Sequence, residues 1–452
     1  MSTTLQDIQS DLLSLYEKEI DSIQSGLSKE INAHRQPAYE EFKTKGLPTK
    51  KVEAYKYTNL EKYLSGEYEY ELAPSSYKVD LRDLFRCDIP ELNTYIVLML
   101  NGFYYSTENF DNNTPKNVII CSLAEATQKY PELVEAHYGK YAESKHDSLV
   151  SLNTMFAQDG VFIHIPDGVV LDKPIQIINM GYSTQNLRVN RRNLFVVGKN
   201  AQADILICDH TLCQKSFITN SLTEVFAGEN SNVDVVRLQN ENSHSSQMSS
   251  LFVHQDANSV FSSCTLSLHG GLIRNSVYAK LNGENCENNT NALFLVDNKQ
   301  HMSFFTDIQH AKPHCLSNQL VKGILKDDAT GAFNGKIYVD EYAIKTQAYQ
   351  TNNNILLSEN AKMNSKPQLE IYNDDVKCSH GATVGQLDTE ALFYIRSRGI
   401  GDAEAKHLLM YAFANDVIRN IKLEPLRDRI INMVDKRLRG KLTACENCNI
   451  KH

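Results

Sequence analysis

Residues 367–400 read PQLEIYNDDVKCSHGATVGQLDTEALFYIRSRGI, and the periodicity of the chain changes within them. At the start of the stretch the apolar residues alternate: Leu369 and Ile371 fall on one side of a strand, Glu370 and Tyr372 on the other. Further on they recur at steps of three and four, the period of a helix. Asp388 sits where an N-cap is needed for a helix carrying Leu392, Phe393 and Ile395. Cys378 and His380 therefore lie on the last strand-like segment before the helices begin. Residues two apart on a strand face the same side, so this thiolate and imidazole can reach one ion or one partner surface. A plainer reading also fits: a buried strand cysteine beside a hydrogen-bonded histidine that caps the strand region.

From that boundary back to Asp159 the chain reads as β. The segment VFIHIPDGVVLDKPIQIIN alternates cleanly, with turns at Asp167-Gly168 and Lys173-Pro174. A weak repeat runs through VVGKNAQADILI, VFAGENSNVDVV, FVHQDANSVFSS, AKLNGENCENNT, ILKDDATGAFNG and LLSENAKMNSKP. Each copy has an apolar pair, a polar turn, a small residue and another strand. The small residues are Ala201, Ser231, Ala257, Cys286, Ala329 and Ala361, at steps of 30, 26, 29, 43 and 32. Such spacing is too loose for a propeller and suits a β-solenoid with variable loops. The Asn, Gly and Asp residues before each small residue supply the left-handed backbone angles that corners need. An antiparallel sandwich remains the alternative on these residues alone.

Helical patterns flank the β region. Leu5, Ile8, Leu12, Tyr16, Ile20, Ile23, Leu27 and Ile31 predict one continuous apolar helix stripe. A helical interlude is expected over 122–141, with Pro131 starting its second helix. After Asp388, Asp402 is a second candidate N-cap, and Ala405, Leu408, Leu409, Ala412, Phe413 and Ile421 form one face. Pro425 opens a further helix carrying Leu426, Ile430, Val434 and Leu438, with basic residues at its end. The domains read as 1–94 helical, 95–387 β core with an insertion near 122–141, 388–444 helical, and a tail at 445–452.

Composition narrows the function. Of 452 residues, 42% are hydrophobic and 22% charged, as in an ordinary globular protein. A net charge of −9 argues against nucleic acid as a partner. No apolar run reaches membrane-span length; Tyr95–Leu100 is strand-sized. The polar, acidic N-terminus lacks the features of a secretory signal, so a cytoplasmic location is expected. Most of the ten cysteines are isolated and expected to be reduced and inert. Cys378 and the pair Cys445/Cys448 stand apart. The pair forms a C-x-x-C which, with one nearby histidine, falls short of a four-ligand zinc site, so a reduced tail is its first reading. GAFNGK, ending at Lys336, is one residue short of a phosphate loop and has Ile337 in place of Ser or Thr. Nucleophile-elbow and H-E-x-x-H zinc motifs are absent. Lone histidines of the β region, such as His244, His254 and His269, read as structural.

Two stretches resemble a known family. KVEAYKYTNL, residues 51–60, is similar to an E-x-W-[KR]-Y-T signature through Glu53, Lys56, Tyr57 and Thr58, with Tyr55 in the tryptophan position. DDVKCSHGATVGQLD followed by ALFYIRSRGI resembles the SufB/SufD family of iron–sulfur cluster assembly scaffolds. The SufB branch carries a more acidic, cysteine-free version of the Cys-Ser-His-Gly tract, so the likeness is to the SufD branch. It covers most of the chain and is strongest from about Gly323 onward.

The resemblance implies a mainly β fold, a right-handed parallel β-helix flanked by helical segments, and so decides for the solenoid. It implies a non-catalytic scaffold subunit that pairs with SufB and docks the ABC-type ATPase SufC. It places His380 at the SufB–SufD interface as a ligand of a transient nascent cluster completed by SufB, with Cys378 a second candidate. Arg396, Arg398, Gly399 and Ile400 mark the candidate SufC-docking region. No cofactor is expected to stay on the isolated chain. The family also implicates a reduced flavin in the complex, for which no dinucleotide fingerprint here supports a site. A homodimer of the isolated chain stays open. Two other readings compete. One is a carbohydrate-acting β-helix enzyme, which needs clustered carboxylates that this chain does not display. The other is a SufB-like scaffold acting without a SufD partner, against which the Cys-Ser-His-Gly tract argues.

Overall fold

The computed structural model describes residues 4–77, 93–105, 114–144 and 147–441. Cys445 and Cys448 lie outside the described residues. The core is a parallel β-solenoid of about seven turns, each made of two strands and two corners. One sheet holds β5 (Val161–Ile165), β7 (Leu187–Val197), β9 (Phe217–Ala227), β11 (Ser246–Gln255), β13 (Leu272–Leu281), β15 (His301–His310), β17 (Thr330–Val339) and β19 (Lys362–Ile371). The facing sheet holds β6 (Ile175–Gly181), β8 (Gln202–Thr211), β10 (Asn232–Asn240), β12 (Val260–His269), β14 (Glu287–Val296), β16 (Leu316–Leu325), β18 (Gln347–Leu356) and β20 (Lys377–Gly385). Every pairing among these strands is parallel, including Phe195 with Val225 and Val225 with Val253, which rejects the sandwich. At the start of the coil, the short β1 (Glu69–Tyr70) pairs parallel with β7, and β2 (Tyr95–Leu100) pairs parallel with β6. There β3 (Phe103–Tyr104) and β4 (Ile119–Ser122) close the edges antiparallel.

The corners explain the repeat and correct its register. Asn200, Asn230, Asn258, Asn285, His314 and Lys345 adopt positive φ between 52° and 61° at one corner of successive turns, 27 to 31 residues apart. In that conformation each backbone N–H reaches a carbonyl of the next turn, as from Asn200 to Glu229 at 2.8 Å and from Lys345 to Asp375 at 2.7 Å. The residue that follows is small and buried: Ala201, Ser231, Ser259, Cys286, Cys315, Thr346. Ala257 is therefore two positions too early, with Ser259 in its place. Ala329 and Ala361 belong to the opposite corner, just before β17 and β19. Both corners need small residues, and mixing the two produced the irregular steps.

The interior of the coil is a continuous apolar cluster that includes Ile163, Phe195, Ile205, Phe261, Phe294 and Phe333. The outer face of the second sheet is covered by the C-terminal helices α10 (Asp402–Ile418) and α11 (Glu424–Leu438). Lys322 of β16 anchors α10, its Nζ donating to Asp416 at 2.6 Å and to the Phe413 carbonyl at 3.2 Å. The buried face of α10 includes Ala405, Met410, Ala414, Val417 and Ile418, whereas Leu408 and Ala412 are exposed. Apolar residues run almost around this helix, so periodicity alone could not select its face. Its N-cap is Gly401, not Asp402, which is the first helical residue.

The single helix predicted over residues 5–31 is three, α1 (Leu5–Lys18), α2 (Ile20–Gln24) and α3 (Lys29–Asn32), and α4 (Arg35–Lys45) follows them. The stripe is real, with Ile8, Leu12, Tyr16, Ile23, Leu27 and Ile31 all buried. It is folded back on itself, Ser28 capping α3 and Tyr16 stacking on Tyr39 at 5.3 Å between ring centroids. These helices pack on the first sheet with α8 (Ser148–Phe156); α5 (Leu60–Leu64) joins the same cluster. Buried Arg35 plugs the C-terminus of α8, donating to the carbonyls of Thr154, Met155 and Ala157 at 2.7–2.9 Å. The interlude forms α6 (Leu123–Lys129) and α7 (Pro131–His137), and the loop after α7 is held by the buried Glu224 carboxylate. That group accepts from the backbone N–H of Gly139, Tyr141 and Ala142 and from Arg192.

Candidate functional site

The last turn of the coil is its open end. Among the described residues β19 pairs only with β17 and β20 only with β18, so each leaves one edge unpaired. Unpaired edges are templates for another chain. Natural monomers blunt them, but among the described residues nothing covers this end: eight of the nine residues of β20 are exposed. The corner beside it displays Tyr342, Ile344 and Tyr372, at 72%, 42% and 61% exposure.

Cys378 and His380 both sit on β20, two apart and on the face that continues the solenoid interior. Register places Cys378 over Ala348 and His380 over Gln350, both buried residues of β18. Cys378 is half-buried against the cluster of Ile337, Val339, Ala343 and Ala348. Burial pushes its thiol pKa up, so the free thiol is not a ready thiolate. His380 is exposed. Sequence reasoning placed the two on one face, and the structure does bring them together.

Beneath His380 and the inward positions after it, Ala382 and Val384, lies a polar floor that sequence reasoning missed. Asn352 Oδ1 accepts from Asn354 at 2.8 Å and from Ser365 of β19 at 2.7 Å. Gln350 Nε2 donates to Gln319 Oε1 at 3.2 Å. The oxygens Oε1 of Gln350 and Oδ1 of Asn354 are buried without a partner. The signal was present as QTNNN in a strand whose inward positions are otherwise apolar, but only register shows which of these residues face inward.

Two potential soft ligands do not make a metal centre. Among the described residues no three His, Cys, Asp or Glu side chains form a group that could hold an ion. A cluster takes four ligands, and these two side chains supply at most two of them. The seven cysteines among the described residues are free thiols. Cys286 and Cys315 stack at one corner on consecutive turns and both donate to the Gly283 carbonyl at 3.2 Å. There they close the corner as Ser259 does one turn earlier, through the Asp256 carbonyl at 2.6 Å.

The predicted docking residues lie elsewhere, Arg396 in the last turn of a helix and Arg398, Gly399 and Ile400 just after it. Helix α9 (Thr389–Ser397) is capped by Asp388, whose carboxylate accepts from the N–H of Glu390 and Ala391 at 2.9 and 3.1 Å. None of its residues is buried, and Phe393 and Tyr394 are 75% and 59% exposed. Arg396 pairs with Asp402 at 3.4 Å, Arg398 lies over the Tyr394 ring, and Gly399 takes φ +86° to end the helix. A groove of about 580 Å³, lined by Leu357, Leu387, Leu392, Met410 and Leu438, runs along one side of α9.

The N-terminal signature clamps the helical segment onto the coil. The Tyr55 ring packs against the Arg274 guanidinium at 3.7 Å, and its hydroxyl donates to Asp147 at 2.5 Å. Thr58 bonds His301 at 3.1 Å, and Glu53 pairs with Lys366 on the edge strand β19. Tyrosine thus fills the aromatic position and finds a partner for its hydroxyl.

Comparison with known proteins shows the family. Residues 180–413 match a family profile described as SUF system FeS cluster assembly, SufBD core domain, and residues 6–177 match one described as SufBD protein N-terminal region. The chain is 30% identical over 403 residues to the iron-sulfur cluster assembly protein SufD of Escherichia coli, covering 87% of this chain and 90% of that one. It is 28% identical over 412 residues to an iron-sulfur cluster assembly SufBD family protein of Synechocystis, covering 89% and 90%. It is 24% identical over 328 residues to SufD of Bacillus subtilis, covering 72% and 75%.

Proposed function

The chain belongs to the SufB/SufD family, and from that premise we propose that it is a non-catalytic scaffold subunit of iron–sulfur cluster assembly, working in the cytoplasm. Its open coil end pairs with SufB, and a nascent cluster is held there by His380 together with SufB groups. Cys378 is a second ligand available once a metal lowers its pKa. The SufC ATPase docks on α9 and the groove beside it, in the region of Arg396, Arg398, Gly399 and Ile400. In the absence of SufB the same unpaired edges accept a second copy of this chain. None of the described helices is long and apolar enough to cross a membrane.

The observation that carries the reading is the position of His380: an exposed imidazole on an unpaired edge strand, two residues from a thiol, in a site too poor in ligands to work alone. Imidazole and thiolate both suit iron. His380→Ala should slow cluster assembly in the SufB–SufC-containing complex by about tenfold or more. The isolated chain should stay folded, because an exposed imidazole is being removed and not a core side chain. Wild-type assembly rates in His380→Ala would remove the ligand role, and loss of SufB association would leave His380 an interface residue only.

A further inference from the structure

Successive turns of the second sheet stack Thr290, Gln319, Gln350 and His380 in one column, each directly in register with the next. The two amides of this column, Gln319 and Gln350, are joined by one bond. Gln350 Nε2 donates down to Gln319 Oε1 at 3.2 Å, and Thr306 from the facing sheet donates to the same oxygen at 2.7 Å. The upper oxygen of this pair, Gln350 Oε1, is buried and unpartnered. The next rung is His380. Room for the Gln350 amide is made by Gly335 of β17, where a Cβ would stand 2.5 Å from Gln350 Nε2. The amide is therefore held from below, and its unpartnered oxygen belongs to the residue one rung beneath His380. A buried carbonyl oxygen without a donor is costly, and adjacent strands are only about 4.8 Å apart.

We infer that Gln350 is a positioning residue for His380: its Oε1 accepts the imidazole N–H, fixing one tautomer and aiming the other ring nitrogen's lone pair out of the open end. Metal-binding histidines characteristically donate their second nitrogen to such an acceptor, which sets the ring orientation and raises its basicity. The inference rests on the ligand reading of His380 and specifies how this chain prepares that ligand before any partner arrives.

The test is the tautomer of His380 in the isolated full chain with ring-15N-labelled histidines, at a pH above their titration. Its signals are assigned by their loss in His380→Ala. The wild type should show a single tautomer. Gln350→Met, of similar size but without an acceptor, should show a mixture, and Gln350→Glu should restore the single form. Gln350→Ala repeats the measurement should the methionine variant fail to fold. In the assembled complex, Gln350→Met should slow cluster assembly by about tenfold, with Gln350→Glu recovering it. Identical tautomer populations in wild type and Gln350→Met overturn the inference even where His380→Ala abolishes assembly. A locked tautomer that Gln350→Met releases without slowing assembly also overturns it, leaving the bond structural. Failure of the ligand reading itself is seen separately, in wild-type assembly by His380→Ala.

Discussion

His301 and His310 are buried in the coil, and burial holds each imidazole pKa down at about 4, with the nearby Arg274, Lys62 and Lys50 charges adding to the effect at His301. Both stay neutral in the folded chain at a pH where the unfolded chain takes up protons. Their stabilising contribution is full above the ordinary value of 6.5 and is lost as pH falls from there toward about 4. Each adds up to about 1.4 kcal/mol per pH unit to the slope. Asp234, pushed up to about 6 by burial, acts in the opposite direction as pH falls, so the informative quantity is a difference. His310→Gln should flatten the pH dependence of the urea midpoint below pH 6.5 relative to wild type; an unchanged slope would mean that His310 is not held neutral. At this scale the sequence was legible for Cys378 and His380, because a period of two needs no tertiary information. Gln350 was not, since one amide in a polar run acquires meaning only from the residues above and below it.

Helix α9 shows what an element's caps reveal and what they leave out. Asp388 announced its start correctly because capping is local chemistry between a side chain and two N–H groups. None of its residues is buried, and Phe393 is among the most exposed large hydrophobic residues of the described chain. A well-capped helix with aromatic groups in water fits the docking role proposed for it. Phe393→Asp should leave thermal unfolding nearly unchanged, within about 0.5 kcal/mol. It should weaken SufC binding by about tenfold or more in a titration with purified ATPase, as expected for an aromatic anchor. Combining it with charge reversal at Arg396 should not unfold the chain either. Undiminished binding would place SufC on another surface. The broken N-terminal helix has the same lesson in reverse: its stripe was legible, but the chain reversal between α2 and α4 is set by packing on α8 through Arg35 and Tyr39.

For the whole molecule, the solenoid was half legible. Strand alternation and corner residues marked a coil, while the choice against a sandwich came from the family resemblance, because parallel and antiparallel pairing leave the same alternation on a strand. The register failed where two kinds of corner looked alike. The coil then explains the asymmetry of its ends. The first turn is closed by antiparallel β3 and β4 and by helices, and among the described residues the last ends on two strands with one edge unpaired, one of which carries His380. The surface proposed to pair with SufB is this unpaired end. Amide hydrogen exchange across Lys377–Gly385 tests it most directly, comparing the chain held dilute enough to be monomeric with the chain saturated by SufB. Pairing at the edge predicts that those β20 amides not already bonded to β18 slow by about tenfold or more on SufB binding, since their opening then requires breaking the new ladder. A stable complex in which β20 exchanges as fast as in the free chain, with protection appearing elsewhere, would contradict the account.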